Sequence, residues 1–414
     1  MKSTAIVSSI FVMVLAASGW AQQAATPLTL QRVTDLYIQK NLQLQAARYR
    51  VERARADQIA ARLRPNPGVL ITAENLPFSG PSPISRLYEL GVSYTETFEL
   101  GGKRELRIKA ADASVSVAEA QLLEVMRRGI AEVKRLYLDT LRARYNITVA
   151  AENQQTFQQL LQINLARFQE GRIPEADLIK VRLERIKFDS AVKQAELEFR
   201  QATIRLLDRL SESNFQTQQI SGELDTSLTA LDLDRLREAA LRERPDVIAA
   251  QRELDAAAQR LSLEQARARP DLIPFAGYKR IGSDNTVMAG VSIPLKTRDH
   301  NQAGIARAQA DQRIAQTQLE FVRNHALAEV ETAYAAFQTA RERVQTFRNE
   351  LLDQAEESRT IALAAFQEGA TALLPVLEAQ RTRTEVRREY FQTLFDYHAS
   401  LTDLELAIGK DLQP

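Results

Sequence analysis

Arg167-Phe168-Gln169-Glu170-Gly171 recurs as Ala365-Phe366-Gln367-Glu368-Gly369, and each copy lies between two long stretches of helix-forming residues. The helical stretches after the two copies have the same length. Upstream matches follow in the same order: Arg64-Pro65 with Arg269-Pro270, and Gly91-Val92-Ser93 with Gly290-Val291-Ser292. Such self-similarity indicates an internal duplication. We predict a first repeat over residues 22–220 and a second over residues 221–414.

The placement of proline predicts two pairs of long helices. No proline occurs between Pro83 and Pro174 or between Pro294 and Pro375, and strong helix formers dominate both windows. We predict long helices over residues 103–168, 175–210, 298–366 and 372–408, and shorter ones over 30–64 and 233–269. The longest would extend ~100 Å, far beyond one globular core. Heptad repeats after the first break are typical of coiled-coil packing.

Between its shorter and longer helices, each repeat contains two candidate strands. Apolar and polar residues alternate along 88–99, where Glu96 breaks the pattern, and along 286–295. Weaker strands over 69–76 and 272–281 complete two predicted hairpins. Strands of about ten residues with one apolar face suit a membrane barrel, whereas a small soluble sheet is the plainer interpretation. Because four strands cannot close a membrane barrel, the membrane interpretation requires several copies to share one.

Composition limits the compartment and the partners. Residues 1–21 combine the basic Lys2, an apolar run and small residues near Ala21, which predicts a cleaved secretory signal peptide. The sequence has no Cys, so we expect neither disulfides nor a lipid attached through Cys. With 54 basic and 53 acidic residues, no charge excess favours nucleic acid as a partner. No later apolar run reaches the ~18 residues of a transmembrane helix.

Patterns typical of enzymes are weak in this sequence. His300, His325 and His398 are scattered along the helices, without a second His or a carboxylate at metal-ligand spacing. Gly101-Gly102-Lys103-Arg104 lacks the spacing and the hydroxyl of a phosphate-binding loop, and a strand-to-helix turn explains its glycines. We therefore expect no catalytic residue, no metal site and no cofactor.

Acidic residues flank both breaks between the long helices. Glu170, Glu175 and Asp177 surround the first break, and Glu368 and Glu378 surround the second. Two interpretations stay open. In one, the carboxylates are solvated and stabilise helix starts through the helix dipole. In the other, the turns converge around an axis, and the carboxylates ring an aperture that favours cations.

The signal peptide, the strand pairs, the four long helices and the repeated breaks together resemble the outer-membrane factors of the TolC type. The resemblance covers essentially the whole mature chain. It implies a mainly α fold with a small β part, in which long α-helical hairpins form a trimeric α-barrel crossing the periplasm. Each chain would then contribute four strands to a shared 12-stranded transmembrane β-barrel in the outer membrane.

By the same resemblance, both turns lie at the periplasmic end and dock an adaptor protein. The matching docking residues are Phe168, Gly171, Leu178, Phe366, Gly369 and Leu374. The candidate aperture acids are Asp177, Glu368 and Glu378. The polar tie that closes the aperture in this family is incomplete here, because Phe366 replaces a tyrosine, Thr371 an arginine and Pro375 an acid. The sequence therefore favours gating by packing.

Two further segments, at 98–104 and 171–177, are most similar to the branch that partners cobalt-zinc-cadmium-type exporters. The resemblance implies a passive, non-enzymatic exit duct that works with a periplasmic adaptor and an inner-membrane efflux transporter. It leaves the cargo open among metal ions, drugs and peptides. Two alternatives remain, a periplasmic adaptor and a secreted coiled-coil scaffold without channel activity. A hydrolase finds no supporting constellation of residues.

Overall fold

The computed structural model describes residues 27–76, 79–81, 88–214, 220–224 and 231–412. The predicted signal peptide therefore lies outside the described residues. The described part is mainly α-helical with four strands, as the sequence predicts. The elements of the first repeat are α1 Leu30–Lys40, α2 Leu42–Arg62, β1 Gly68–Glu74, β2 Glu89–Thr95, α3 Lys103–Gln169 and α4 Glu175–Arg209.

The second repeat has the same order of elements. They are α5 Leu233–Glu243, α6 Pro245–Arg267, β3 Ile273–Ile281, β4 Asp284–Ser292, α7 Gln302–Thr346, α8 Leu352–Gln367 and α9 Leu373–Ile408. A single π-helical turn, Phe347–Leu351, separates α7 from α8. The prediction of one regular α-helix over 298–366 was therefore wrong. The helix begins at Gln302, after Asn301, which adopts a positive φ of 59°, and it contains this wider turn.

Each predicted shorter helix is in fact two helices. Asn41 ends α1 and begins α2, and its side-chain oxygen accepts a hydrogen bond from the Leu44 amide at 2.9 Å. In the second repeat Arg244 is extended because Pro245 follows it, and the proline then occupies the first turn of α6. Composition alone predicted one continuous helix in each repeat. The cap formed by Asn41 and the helix start at Pro245 each divide that helix in two.

The four strands form one antiparallel sheet in the order β1-β2-β3-β4. The sequence predicted two hairpins, and the structure joins them through the pairing of β2 with β3, where Val92 lies opposite Tyr278. The strand predicted over 88–99 ends at Thr95, and Phe98 forms only an isolated bridge with Leu272. The strand predicted over 286–295 begins and ends earlier, at Asp284–Ser292, because β3 and β4 meet in a tight turn.

Most of the buried apolar residues form two separate clusters. The larger lies around the middle of α3, where α1 and α5 pack across the long helices. Its packing is close: a Cβ added at Gly129 would lie 1.7 Å from the Tyr37 hydroxyl, so a larger residue there must displace that ring. The smaller cluster lies near the turns: Phe157, Leu160, Leu161, Leu178, Val181, Phe366, Leu373, Val376 and Leu377.

Arg244 carries a buried charge beside the larger cluster. It is 1% exposed, and its guanidinium pairs with Asp246 and Glu329, each at 2.6 Å. It also donates a hydrogen bond to the Ala407 carbonyl at 2.9 Å, next to the C-terminal end of α9. Burial alone would lower the pKa of Arg244, but these carboxylates raise it. The fully paired charge fixes the start of α6 against α7 and α9.

We expect deletion of Asn349 to leave the melting temperature unchanged or raised. This exposed residue lies in the π turn, which holds one residue more than an α-helical turn, so its removal restores a regular helix. Deletion of Ala151, the corresponding exposed residue of the unbroken α3, instead rotates all that follows by ~100° and misaligns the buried face. Thermal unfolding followed by circular dichroism compares the two. Equal losses of melting temperature would contradict the prediction.

Candidate functional site

The two turns between the long helices have the same backbone geometry. Gly171 and Gly369 adopt φ of 73° and 80°, and a Cβ on either would meet no atom within 4 Å. Glycine is therefore favoured by the left-handed backbone and not by crowding. In each turn the amide after the glycine donates to a carbonyl of the preceding helix, Arg172 to Arg167 and Ala370 to Ala365, both at 2.8 Å. This is the Schellman arrangement that ends a helix.

The helices that leave the two turns begin differently. After Pro174, α4 has Glu175 and Asp177 in its first turn, where carboxylates favour the positive end of the helix dipole. Asp177 also pairs with Lys180 at 3.0 Å. The first turn of α9 contains Pro375 and no acid. The two turns are therefore alike in backbone and unlike in charge.

The structure separates the candidate docking residues into exposed and buried ones. Phe168 is 39% exposed and Leu374 is 60% exposed, and both glycines are exposed. Leu178 and Phe366 are only 2% and 3% exposed, because they lie in the smaller apolar cluster. The exposed candidates are available to a partner, whereas the buried ones hold the two turns together.

The candidate acids also differ in their surroundings. Glu368 and Glu378 are exposed, and Asp177 is half-buried beside Lys180. Within the described residues of one chain, these three carboxylates form no cluster that could hold a metal ion. Any ring of acids would require several copies of the chain.

Arg167 joins the two turns, and it was not among the site residues predicted from the sequence. Its Nη2 donates hydrogen bonds to the carbonyls of Phe366 at 2.7 Å and Gln367 at 3.2 Å. Its guanidinium carbon lies 4.5 Å from the centroid of the Phe366 ring. The signal was present in the sequence: the repeated motif differs at its first position, where Arg167 corresponds to Ala365.

A polar layer lies between the two apolar clusters. Gln380 and Asn153, 1% and 2% exposed, are joined by a hydrogen bond of 2.7 Å from the Gln380 amide. The Thr384 hydroxyl donates to the same Asn153 oxygen at 3.1 Å, and Arg359 donates to the Gln380 oxygen at 3.2 Å. Buried amides so paired fix the register of α3, α8 and α9.

Glu152 adds a charged part to this layer. Its carboxylate pairs with Arg387 and with Arg383, the latter at 3.3 Å, and Arg383 also contacts Glu356 of α8. Burial acts to raise the pKa of Glu152, but the hydrogen bonds and charges of Arg387 and Arg383 outweigh it and lower that pKa below its ordinary value. Glu152 therefore stays ionised at neutral pH and links α3 to α9.

The two faces of the sheet differ in chemistry. On one face, every strand carries exposed apolar side chains, and Arg280 and Asn285 near the turn between β3 and β4 are the charged and amide members. The apolar side chains are Val69, Ile71, Leu90, Val92, Tyr94, Tyr278, Val287 and Val291. The other face is mostly polar: Thr72, Glu74, Glu89, Ser93, Thr95, Lys279, Asp284 and Thr286, with Leu70, Phe275, Ile281 and Met288 among them. On this face Lys279 pairs with Glu89 and, at 3.4 Å, with Glu74. An exposed apolar face of this kind is typical of a surface that contacts another protein or a membrane.

Within the described residues, α2 and α4 have fewer packing partners than their counterparts in the second repeat. α6 packs against both α3 and α7, but its counterpart α2 packs mainly against α3. Likewise α9 packs against α3, α7 and α8, but its counterpart α4 packs mainly against α3. Exposed apolar residues mark the free faces of α2 and α4: Leu42, Tyr49, Ile59, Leu63, Ile179, Leu183, Ile186, Leu197 and Ile204. Others mark α7 and α8: Ile314, Phe321 and Ile361.

The described residues contain neither a cluster of metal ligands nor a membrane-spanning helix. In that part of the chain, no group of three or more His, Cys, Asp or Glu residues is placed to hold a metal ion. None of the described helices is both long and apolar enough to cross a membrane.

Comparison with known sequences gives matches along most of the chain. The model of a family described as outer membrane efflux protein matches residues 33–210 and 236–410. The cobalt-zinc-cadmium resistance protein CzcC of Cupriavidus metallidurans is 28% identical over 395 residues, which cover 94% of this chain and 92% of CzcC. The nickel and cobalt resistance protein CnrC of the same organism is 28% identical over 335 residues, covering 80% and 78%.

Comparison with solved structures gives the same fold. The structure of CusC superposes with a TM-score of 0.76 at 19% identity, covering 94% of this chain and 93% of CusC. The outer membrane protein VceC of Vibrio cholerae superposes with a TM-score of 0.74 at 18% identity, covering 93% and 97%. At these identities the likeness establishes the architecture of the chain.

Proposed function

The chain belongs to the outer membrane efflux protein family, and on that premise we propose that it is the outer-membrane exit duct of a tripartite efflux system. The family predicted from the sequence is confirmed, and relatives from metal-resistance systems are among the matches. Members of this family are channels that work with adaptor proteins and inner-membrane pumps. We propose that this chain, too, is a passive duct without catalytic activity.

One observation carries the proposal: a sheet with an exposed apolar face stands at the end of ~100 Å helical arms. Lipid would cover the apolar face, and the polar face with Lys279 and its two carboxylate partners would line water. In lipid every backbone group must be paired, yet β1 and β4 each have one free edge. The alternatives, an adaptor or a secreted scaffold, leave the apolar face without a function.

We propose a homotrimer in which the free edges of neighbouring copies meet. β4 of one copy would pair antiparallel with β1 of the next, so that three copies share 12 strands. The free faces of α2 and α4 would then pack against α7 and α8 of the neighbour. The neighbour would thus supply the additional packing partners that α6 and α9 already have within their own chain. Such head-to-tail contacts close into a ring. Trimeric assembly of homologues supports this arrangement.

We propose that the sheet lies in the outer membrane and the helices in the periplasm, without a lipid attached through Cys. The two turns then form the periplasmic end, where Phe168 and Leu374 are the exposed apolar contacts for a periplasmic adaptor. Around the threefold axis, Asp177, Glu368 and Glu378 would ring the aperture and favour cations. The reversal potential across a salt gradient in planar bilayers measures that preference. Anion preference would exclude the proposed ring of acids.

We infer that the cargo is a transition-metal cation. The relatives CzcC and CnrC are named for resistance to cobalt, zinc, cadmium and nickel, and they match the chain along most of its length. Growth of a strain that lacks the chain, in the presence of each metal and of a panel of drugs, separates metal cargo from drug cargo. Sensitivity to drugs alone would overturn the metal assignment.

The double substitution Leu183→Asn and Ile186→Asn should lower the temperature at which the trimer dissociates in SDS. Both side chains are exposed on the free face of α4, where a neighbour would bury them. Lys187→Asn is the matched control, because Lys187 is exposed on the same turn and ends in a charged ammonium that pairs with Glu184 of its own helix. An unchanged dissociation temperature for the double variant would remove α4 from the interface.

Val287→Lys should sharply reduce the amount of folded protein in the outer membrane. Val287 lies on the apolar face and is 84% exposed, and a lysine facing lipid costs ~2–4 kcal/mol near the bilayer centre. Met288→Lys is the control, because Met288 is the next residue of β4 and faces the polar side. Heat-modifiability on gels of membrane fractions reports folding. Equal losses in both variants would contradict the orientation of the sheet.

Leu374→Asp should abolish metal export while the trimer and its conductance remain. Leu374 is 60% exposed on the second turn, so an aspartate there removes an apolar docking contact without opening the core. Leu374→Met keeps the apolar surface and should export like the wild type. Metal accumulation in cells that express each variant measures export. Wild-type export by Leu374→Asp would remove Leu374 from the docking surface.

A further inference from the structure

We propose that Arg167 is a positioning residue that clasps the two turns into one composite docking surface. The proposal rests on the docking role proposed for the turns. It adds that the first repeat sets the position of the second, through one side chain. Phe168 and Leu374 would then meet the partner as a fixed pair, and not as two independent contacts.

Three interactions of Arg167 converge on the end of α8. The guanidinium lies 4.5 Å from the Phe366 ring centroid, within the range of a cation–π contact. Its Nη2 donates to the carbonyls of Phe366 and Gln367, at 2.7 Å and 3.2 Å. These carbonyls lie at the negative end of the α8 dipole, where a cation is favourable. Arg167 therefore neutralises and orients the end of a helix that belongs to the other repeat.

No comparable contact is available in the opposite direction. The residue that corresponds to Arg167 is Ala365, whose methyl side chain has no hydrogen-bond donor that could reach the first turn. Among the residues that the structure describes, both hydrogen bonds that join one turn to the other come from Arg167. At the turns themselves the remaining contact is the apolar cluster around Leu178 and Phe366, which is not directional. The polar layer at Asn153 and the ion pair of Arg381 with Glu184 also join the repeats, but they lie farther along the helices. Arg167 thus specifies the relative orientation that the cluster alone does not.

Lysine cannot reproduce this contact. The planar guanidinium lies over the Phe366 ring while its Nη2 donates to the two carbonyls, whereas an ammonium is a compact point charge. Arg172 offers a matched comparison on the same turn, because it is exposed and pairs only locally, with Glu170 at 2.9 Å.

Pulsed electron spin resonance on the assembled protein tests the clasp. Spin labels at Gln169→Cys and Gln367→Cys occupy exposed, equivalent positions of the two turns, and the absence of native cysteine keeps labelling specific. Dilution with unlabelled chains isolates the distance within one chain. We expect one narrow distance distribution, which roughly doubles in width in Arg167→Ala, broadens less in Arg167→Lys, and stays unchanged in Arg172→Ala.

Equal widths in the wild type and in both Arg167 variants would overturn the proposal. If Arg167→Ala fails to assemble, as judged by its elution volume and helix content, Arg167→Lys decides the result. The measurement needs neither adaptor nor cargo, so it stays valid if the docking proposal fails. Conversely, broadened distances with wild-type metal export would keep the clasp and reject the composite docking surface.

Discussion

The helix α3 has 67 residues, and it would be exposed to water along its whole length unless other helices covered it. Its packing partners are the helices α1, α2, α4, α6 and α9. Every further feature depends on that coverage: the sheet is held at one end of α3, the turns at the other, and the larger cluster around its middle. The helices α2 and α4 pack mainly against α3, and their apolar side chains on the other face remain exposed. Such a surface is typical of an interface between protein chains.

Local signals in the sequence were sufficient to predict most of the architecture. Prolines and helix formers predicted the long helices. Alternation predicted β2 and β4, and weaker patterns predicted β1 and β3 as their hairpin partners. The errors arose where a single side chain or backbone angle decides. Asn41 caps a helix, Pro245 starts one, and Asn301 adopts a left-handed conformation, each within a stretch of favourable composition. The π turn was not predicted, because one extra residue in a turn leaves the helix-forming composition of the segment unchanged.

The site was predicted less completely than the fold. The repeated motif located both turns and their glycines, because glycine is the residue that most readily adopts a positive φ. Burial of Leu178 and Phe366 could not be predicted, because it depends on how one repeat packs against the other. The contacts of Arg167 and of Glu152 are of the same kind, since each joins residues about two hundred positions apart. Helical periodicity carries no information about such distant partners.

The pairing of β2 with β3 has a consequence for the order in which the protein matures. Ser93 and Gly277 face each other in this ladder, so the middle of the sheet cannot form until the second repeat has been synthesised as far as β3, which ends at Ile281. Until then the hairpin of β1 and β2 has two free edges and an uncovered apolar face. Such a hairpin is prone to pair with the wrong chain. Shielding of this hairpin until β3 is in place would therefore favour the native pairing.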